Sequence, residues 1–169
     1  MPLRNSLLQS TLDRVEREIR DLAVEYAFAL SVDGELLFHT TDEEDSQVGF
    51  TEAELAQLSG AVLTHNHPGG RSFSPEDVTF AMRVGLAEMR VVTAESRFIL
   101  RPPEERWSWL LLKSFPAMLE VERHLLDRQL FGEIASGVRS KQEVDLVFHH
   151  LLWERVSRRG LIGYSVDPW

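Results

Sequence analysis

The sequence predicts an α+β fold of mixed α/β layout, with a central mixed β-sheet flanked by helices. Three observations predict it. Short apolar or alternating runs at 25–32, 35–40, 60–65, 89–94 and 97–101 read as strands. Stretches with apolar residues three and four apart flank or separate them and read as helices. After Pro102-Pro103 the pattern turns helical and stays so over 104–131 and 140–159. With 169 residues, 43% of them hydrophobic, the chain can bury a sizeable core and has a globular composition. The expected organisation is a core over 1–103, including an N-terminal helix, with a helical extension over 104–169 packed on it.

Each element has a local cause. Leu8, Leu12, Val15, Ile19 and Leu22 form the apolar stripe of an amphipathic helix over 5–22. Asp33-Gly34 is a hairpin signal between "EYAFALSV" and "ELLFHT", because glycine tolerates positive φ. The acidic "DEEDS" at 42–46 reads as a solvated loop. Thr51 and Glu54 have capping-box spacing ahead of Leu55 and Leu58. "GAVLTH" at 60–65 reads as a buried strand. Ser74-Pro75-Glu76-Asp77 is a helix start, with an N-cap serine, proline at the first position and acids in the first turn. Pro116 is expected to kink or split the first C-terminal helix, and "IASGVRS" at 134–140 to link it to the second.

Composition removes several classes of function. There is no cysteine, so disulfides, thiolate zinc sites and cysteine nucleophiles are out. The longest apolar runs, such as "WLLL" at 109–112, are too short to span a bilayer. The first 21 residues become charged quickly and lack a signal-peptide core, so a cytoplasmic protein is expected. A formal net charge of −9 argues against a nucleic-acid partner, which calls for a basic footprint.

The chemistry concentrates in "AVLTHNHPGGRSFSPED" at 61–77. His65 and His67 follow a strand, and Pro68-Gly69-Gly70 bends the chain so that both can face one ion. Asp77, on the first turn of the next helix, can return a carboxylate to the same point. Two imidazoles and a carboxylate leave one position of a tetrahedral Zn2+ open, the catalytic arrangement rather than the closed structural one. Such chemistry also requires a carboxylate base and a donor for the oxyanion. Ser74 is placed for the second task, although it is equally a good N-cap and one hydroxyl serves one role at a time. Other residues have plainer readings. Asn66 orients the loop, Arg71 either contacts substrate or is simply exposed, with the exposed reading favoured, and Glu76 complements a helix dipole. Glu35 is a rival base at the far end of its hairpin. His150 and Glu154 in "FHHLLWE" sit on a helix surface, and His39 and His124 have no partner in sequence. Trp107, Trp109 and Trp153 mark core or a helix interface. Trp169 either docks onto the body or frays.

The stretch "THNHPGGRSFSPED" resembles the JAMM motif of JAB/MPN-type metalloproteases, through His65, His67, Pro68, Ser74 and Asp77. Glu25 best matches that motif's upstream glutamate. "EYAFALSVDG" and the HNHP tetrapeptide are similar to RadC-type members, and the resemblance covers about residues 20–101. It implies a cytidine-deaminase-like core and a zinc metallopeptidase or isopeptidase. His65, His67 and Asp77 would bind the metal, Glu25 would serve as base and then acid, and Ser74 would steady the oxyanion. The implied substrate is a protein or peptide, often a ubiquitin-like modifier. The spacing between His67 and Ser74 is one residue shorter than in the family, which is tolerable if Asp77 still reaches the metal. Two alternatives belong to other classes: a RadC-like role in DNA repair or phage DNA metabolism, and a non-enzymatic interaction module in phage assembly. An intact ligand set with a base argues against a pure scaffold.

Overall fold

The computed structural model describes residues 6–41 and 49–169. The acidic 42–46 stretch lies outside the described residues. The elements are α1 (Ser6–Ile19), β1 (Tyr26–Leu30), β2 (Leu36–Thr41), α2 (Glu52–Leu55), β3 (Val62–Asn66), α3 (Pro75–Val84), β4 (Glu88–Val92), β5 (Ser96–Arg101), α4 (Trp109–Ala135), α5 (Lys141–Arg158) and β6 (Gly163–Pro168). Among the described residues the strands form one six-stranded sheet in the order β2-β1-β3-β4-β5-β6. Only β3 and β4 pair in parallel, and α3 makes the crossover between them. The other neighbours are antiparallel. The fold is therefore α+β with a mixed sheet. No helix of the described residues is long and apolar enough to cross a membrane.

Strand alternation sends successive side chains to opposite faces, and the two faces are finished differently. Leu30 and Val62 pack with Leu12 of α1 on one face. Their neighbours Ala29 and Leu63 join the main core on the other, with Val78 and Met82 of α3, Phe115 and Leu126 of α4, and Leu152 and Trp153 of α5. The C-terminal helices thus share one core with the sheet. The face under α1 also carries a buried ion network. Arg90, 1% exposed, pairs with fully buried Glu16 at 3.1 Å and with Glu88, and Glu88 in turn pairs with Arg101 at 2.6 Å.

The hairpin between β1 and β2 depends on Gly34. Its φ is +94°, and a Cβ there would stand 2.5 Å from the Leu8 backbone nitrogen and 2.7 Å from the Leu8 Cα. Glycine is required both by the positive φ and by the close approach of α1. Gly34→Ala is expected to cost about 2 kcal/mol or more, read from urea or thermal unfolding. A variant as stable as the parent would show that α1 yields at this contact.

The C-terminal third departs from expectation at two places. α4 begins at Trp109 rather than near 104, because Ser108 caps it by accepting the Leu111 N–H at 3.1 Å. It runs unbroken through Pro116 to Ala135. The chain does not end as helix: Gly163–Pro168 returns to the sheet as β6, antiparallel to β5. Gly, Asp and Pro in "GYSVDP" disguise it, and an edge position is what lets a strand carry proline. Trp169 docks. Its Nε1 donates to the Thr93 carbonyl at 2.7 Å, and the Arg97 and Arg20 guanidinium groups lie 4.1 and 4.9 Å from its ring.

Candidate metal centre

His65 stands at the carboxyl end of β3, beside the crossover into α3. Open α/β sheets place their ligand sites at such ends. Alternation sends His65 to the α3 face and Asn66 to the other. Asn66 is fully buried there and works as a pin. Its Oδ1 accepts the Tyr26 N–H at 2.7 Å, and its Nδ2 donates to the Val24 carbonyl at 2.9 Å and the Leu22 carbonyl at 3.3 Å. These three bonds bracket Glu25. Ala27 is paired with His65, so continuing that register sets Glu25 against His67 on the cleft side.

Three ligating groups converge. His65 Nε2 and His67 Nε2 are 3.1 Å apart. Asp77 Oδ1 is 3.7 Å from His65 Nε2, and Asp77 Oδ2 is 3.6 Å from His67 Nε2. Each histidine faces a different Asp77 oxygen, and one ligand atom from each residue lies within 4.8 Å of the others. Donors about 2.0–2.1 Å from a tetrahedral zinc ion stand roughly 3.3 Å apart, so one ion fits once the carboxylate turns one oxygen toward both rings. The shorter spacing between His67 and Ser74 therefore does not keep Asp77 from the histidines. His67 Nδ1 lies 3.0 Å from the Arg71 carbonyl. A carbonyl only accepts, so the proton is on Nδ1 and the Nε2 lone pair is free for a metal.

Ser74 is the N-cap of α3 and forms a reciprocal box with Asp77. Its Oγ accepts the Asp77 N–H at 3.1 Å and donates to Asp77 Oδ2 at 2.9 Å. Its backbone N–H reaches the same Oδ2 at 2.7 Å. The hydroxyl proton is thus committed to orienting Asp77, and donating to an oxyanion requires it to leave that bond.

The cluster opens into a cleft of about 330 Å³ lined by Glu25, His65, His67, Ser74, Glu76 and Asp77, with Phe50, Phe80, Leu63 and Met89 as its apolar walls. The Phe50 and Phe80 rings stack 5.3 Å apart. Burial raises the Glu25 pKa above the ordinary value, the His67 charge opposes it and Asp77 reinforces it. A base poised upward toward neutrality suits proton transfer. Glu35 sits in the hairpin turn at the opposite end of β1 and takes no part. Glu76 does line the cleft. His150 is half-buried rather than a surface group, bonded through Nδ1 to the Tyr164 hydroxyl at 3.0 Å. Its neighbour His149 lines a separate pocket with Pro75, Glu76 and Thr79, on the other side of the first turn of α3 from the cluster's cleft. Burial, the Arg71 charge and His67 lower its pKa, while Asp77 and Glu76 raise it. Adjacency to His150 was the only sequence signal for it. Comparison with protein-family models, with curated proteins and with solved structures finds no match for this chain.

The buried His65 gives the metal-free protein a pH signature. Its pKa is drawn down to about 4, first by burial; the Asp77 charge and the Arg90 backbone pull it up, and His67 pushes it further down. Its folded value lies below the ordinary value of 6.5. The stability it contributes is therefore complete above about pH 6.5 and is lost as pH falls toward 4. The loss is expected to reach about 3 kcal/mol in chelator-treated protein. Glu25, with its raised pKa, changes in the opposite sense, so His65→Asn is compared with the parent. Equal pH slopes in urea unfolding of the two proteins would contradict the assignment.

Proposed function

We propose that this chain is a zinc-dependent hydrolase of the JAMM type, on a cytidine-deaminase-like core, cleaving an amide or isopeptide bond in a protein or peptide, with ubiquitin-like modifiers as the substrate class the motif implies. One observation carries the proposal: two imidazole nitrogens and a carboxylate, 3.1–3.7 Å apart, share a cleft with a second carboxylate of raised pKa. His65, His67 and Asp77 would hold the ion. When bound, zinc supplies Lewis acidity, lowering the pKa of a coordinated water toward about 7 and polarising a carbonyl.

The chain's own groups do the rest. Glu25 takes the proton from the attacking water and returns it to the leaving amine. Ser74 keeps the Asp77 carboxylate turned toward the histidines. Phe50 and Phe80 give the cleft an apolar wall against which an apolar part of the substrate would pack. Metal content of the purified protein, measured by mass spectrometry, tests the proposal. About one zinc per chain is expected, lost in His67→Ala and in Asp77→Ala. A parent that takes up no metal after zinc is supplied would end it. A zinc-loaded parent would then be screened against fluorogenic peptide amides and lysine-linked isopeptides.

A further inference from the structure

Between His67 and α3 the backbone has no ladder to hold it, and Gly69-Gly70 makes its first half permissive. Its second half is gripped from the far end of the chain. Trp153 of α5, 0% exposed, donates its Nε1–H to the Phe73 carbonyl at 2.7 Å. The Tyr164 hydroxyl of β6 lies 2.8 Å from Ser72 Oγ and 3.0 Å from His150 Nδ1. It has one proton, so it donates to one neighbour and accepts from the other. Ser72 is 2% exposed and Phe73 is fully buried, with its ring edge-on to the Tyr164 ring at 6.3 Å. Trp153 is itself stacked on Phe115 of α4, 6.5 Å away. Ser72 and Phe73 immediately precede the Ser74–Asp77 box, so whatever fixes them fixes where Asp77 arrives.

Resting on the metal-site assignment above, we propose that α5 and β6 form a clamp on the ligand loop, with Trp153 and Tyr164 as positioning residues for Asp77. This gives the C-terminal third a task in the site without contributing a ligand. An untethered loop would present Asp77 to the histidines only part of the time, and apparent metal affinity falls by that fraction. Partners bonded directly to metal ligands are worth about 10–100-fold in metal affinity. Trp153 and Tyr164 act one step further back, through Phe73 and Ser72, so the lower end applies.

Tyr164→Phe, which removes one oxygen, and Trp153→Phe are compared with the parent and with Trp107→Phe. Trp107 makes a similar bond, to the Leu86 carbonyl at 2.8 Å, away from the loop. The readouts are zinc affinity by competition with a chromophoric chelator, and amide hydrogen exchange of residues 70–77 in the metal-free protein. Tyr164→Phe and Trp153→Phe are each expected to weaken zinc binding about 10-fold. They should also speed exchange across 70–77 while β4 and β5 exchange as in the parent, and Trp107→Phe should do neither. Parental affinity and exchange in both variants would overturn the clamp, and so would an equal weakening by Trp107→Phe. If Trp153→Phe fails to fold, Tyr164→Phe decides. If the parent itself binds no zinc, the metal-site assignment falls, and exchange alone judges the clamp: faster at 70–77 upholds it, unchanged overturns it.

Discussion

Glu25→Gln is expected to keep zinc bound and to lower hydrolysis by about 10²–10⁴-fold, the usual worth of a positioned general base. The substitution preserves shape and hydrogen-bonding reach while removing the ability to take a proton. It leaves His65, His67 and Asp77 untouched, and among the described residues no hydrogen bond from the Glu25 side chain holds the loop. Position is what singles this carboxylate out. Asn66 pins the chain on both sides of it from beneath the sheet, and the β1–β3 register sets it across from His67. Glu35 is also a carboxylate but sits at the hairpin turn, so Glu35→Gln should be silent. Glu76 shares the cleft and is the stricter control. Turnover of a fluorogenic amide by zinc-loaded parent, Glu25→Gln and Glu76→Gln, with metal content measured alongside, separates the cases. Parental turnover in Glu25→Gln with loss in Glu76→Gln would move the base to the first turn of α3.

The parts of this centre that were legible in the sequence are those with short-range causes. Ser74, Pro75 and Asp77 announce a capped helix start from four consecutive positions, and the capping box is there. Histidines one residue apart at the end of an apolar strand must share a face, and they do. Glu25 needed the family pattern, because strand register is set by pairing forty residues away and leaves no local mark. The hidden parts are long-range or involve a choice of helix face. "GYSVDP" has poor strand character by composition and becomes a strand because β5 offers an open edge. α5 carries adjacent histidines with apolar residues on several sides, so spacing could not say which one lies against the first turn of α3. His150 has carboxylate spacing with Glu154, yet it is His149 that lines a pocket with Pro75 and Glu76. Nor could "SF" at 72–73 reveal that its partners lie 80 and 92 residues downstream.

Glu16→Ala is expected to cost about 3–5 kcal/mol, because it strands a charge in the interior. Arg90 crosses beneath the sheet at 1% exposure, and its guanidinium meets Glu16 Oε1 at 3.1 Å and Oε2 at 3.5 Å. Thr64 Oγ1 donates to the same carboxylate at 3.2 Å, and Arg97 pairs with it at 3.2 Å. Burial raises the Glu16 pKa, and Arg90, Arg97 and the Thr64 hydroxyl oppose that rise. The pair is thus costly to assemble and costlier to halve. Glu88 remains beside Arg90 in the variant, but it is shared with Arg101 and cannot neutralise both. On a chain of this length the loss corresponds to a melting temperature lower by on the order of 10 °C. Replacing both partners, Glu16→Leu with Arg90→Met, should recover much of the deficit, since apolar groups of similar volume need no counter-charge. Urea unfolding of the parent, the two singles and the double closes the cycle. A Glu16→Ala protein within about 1 kcal/mol of the parent would mean that water reaches Arg90, as at an exposed pair. The network would then be a solvated patch rather than the support beneath β3 and β4, the strands that carry His65 and frame the crossover to Asp77.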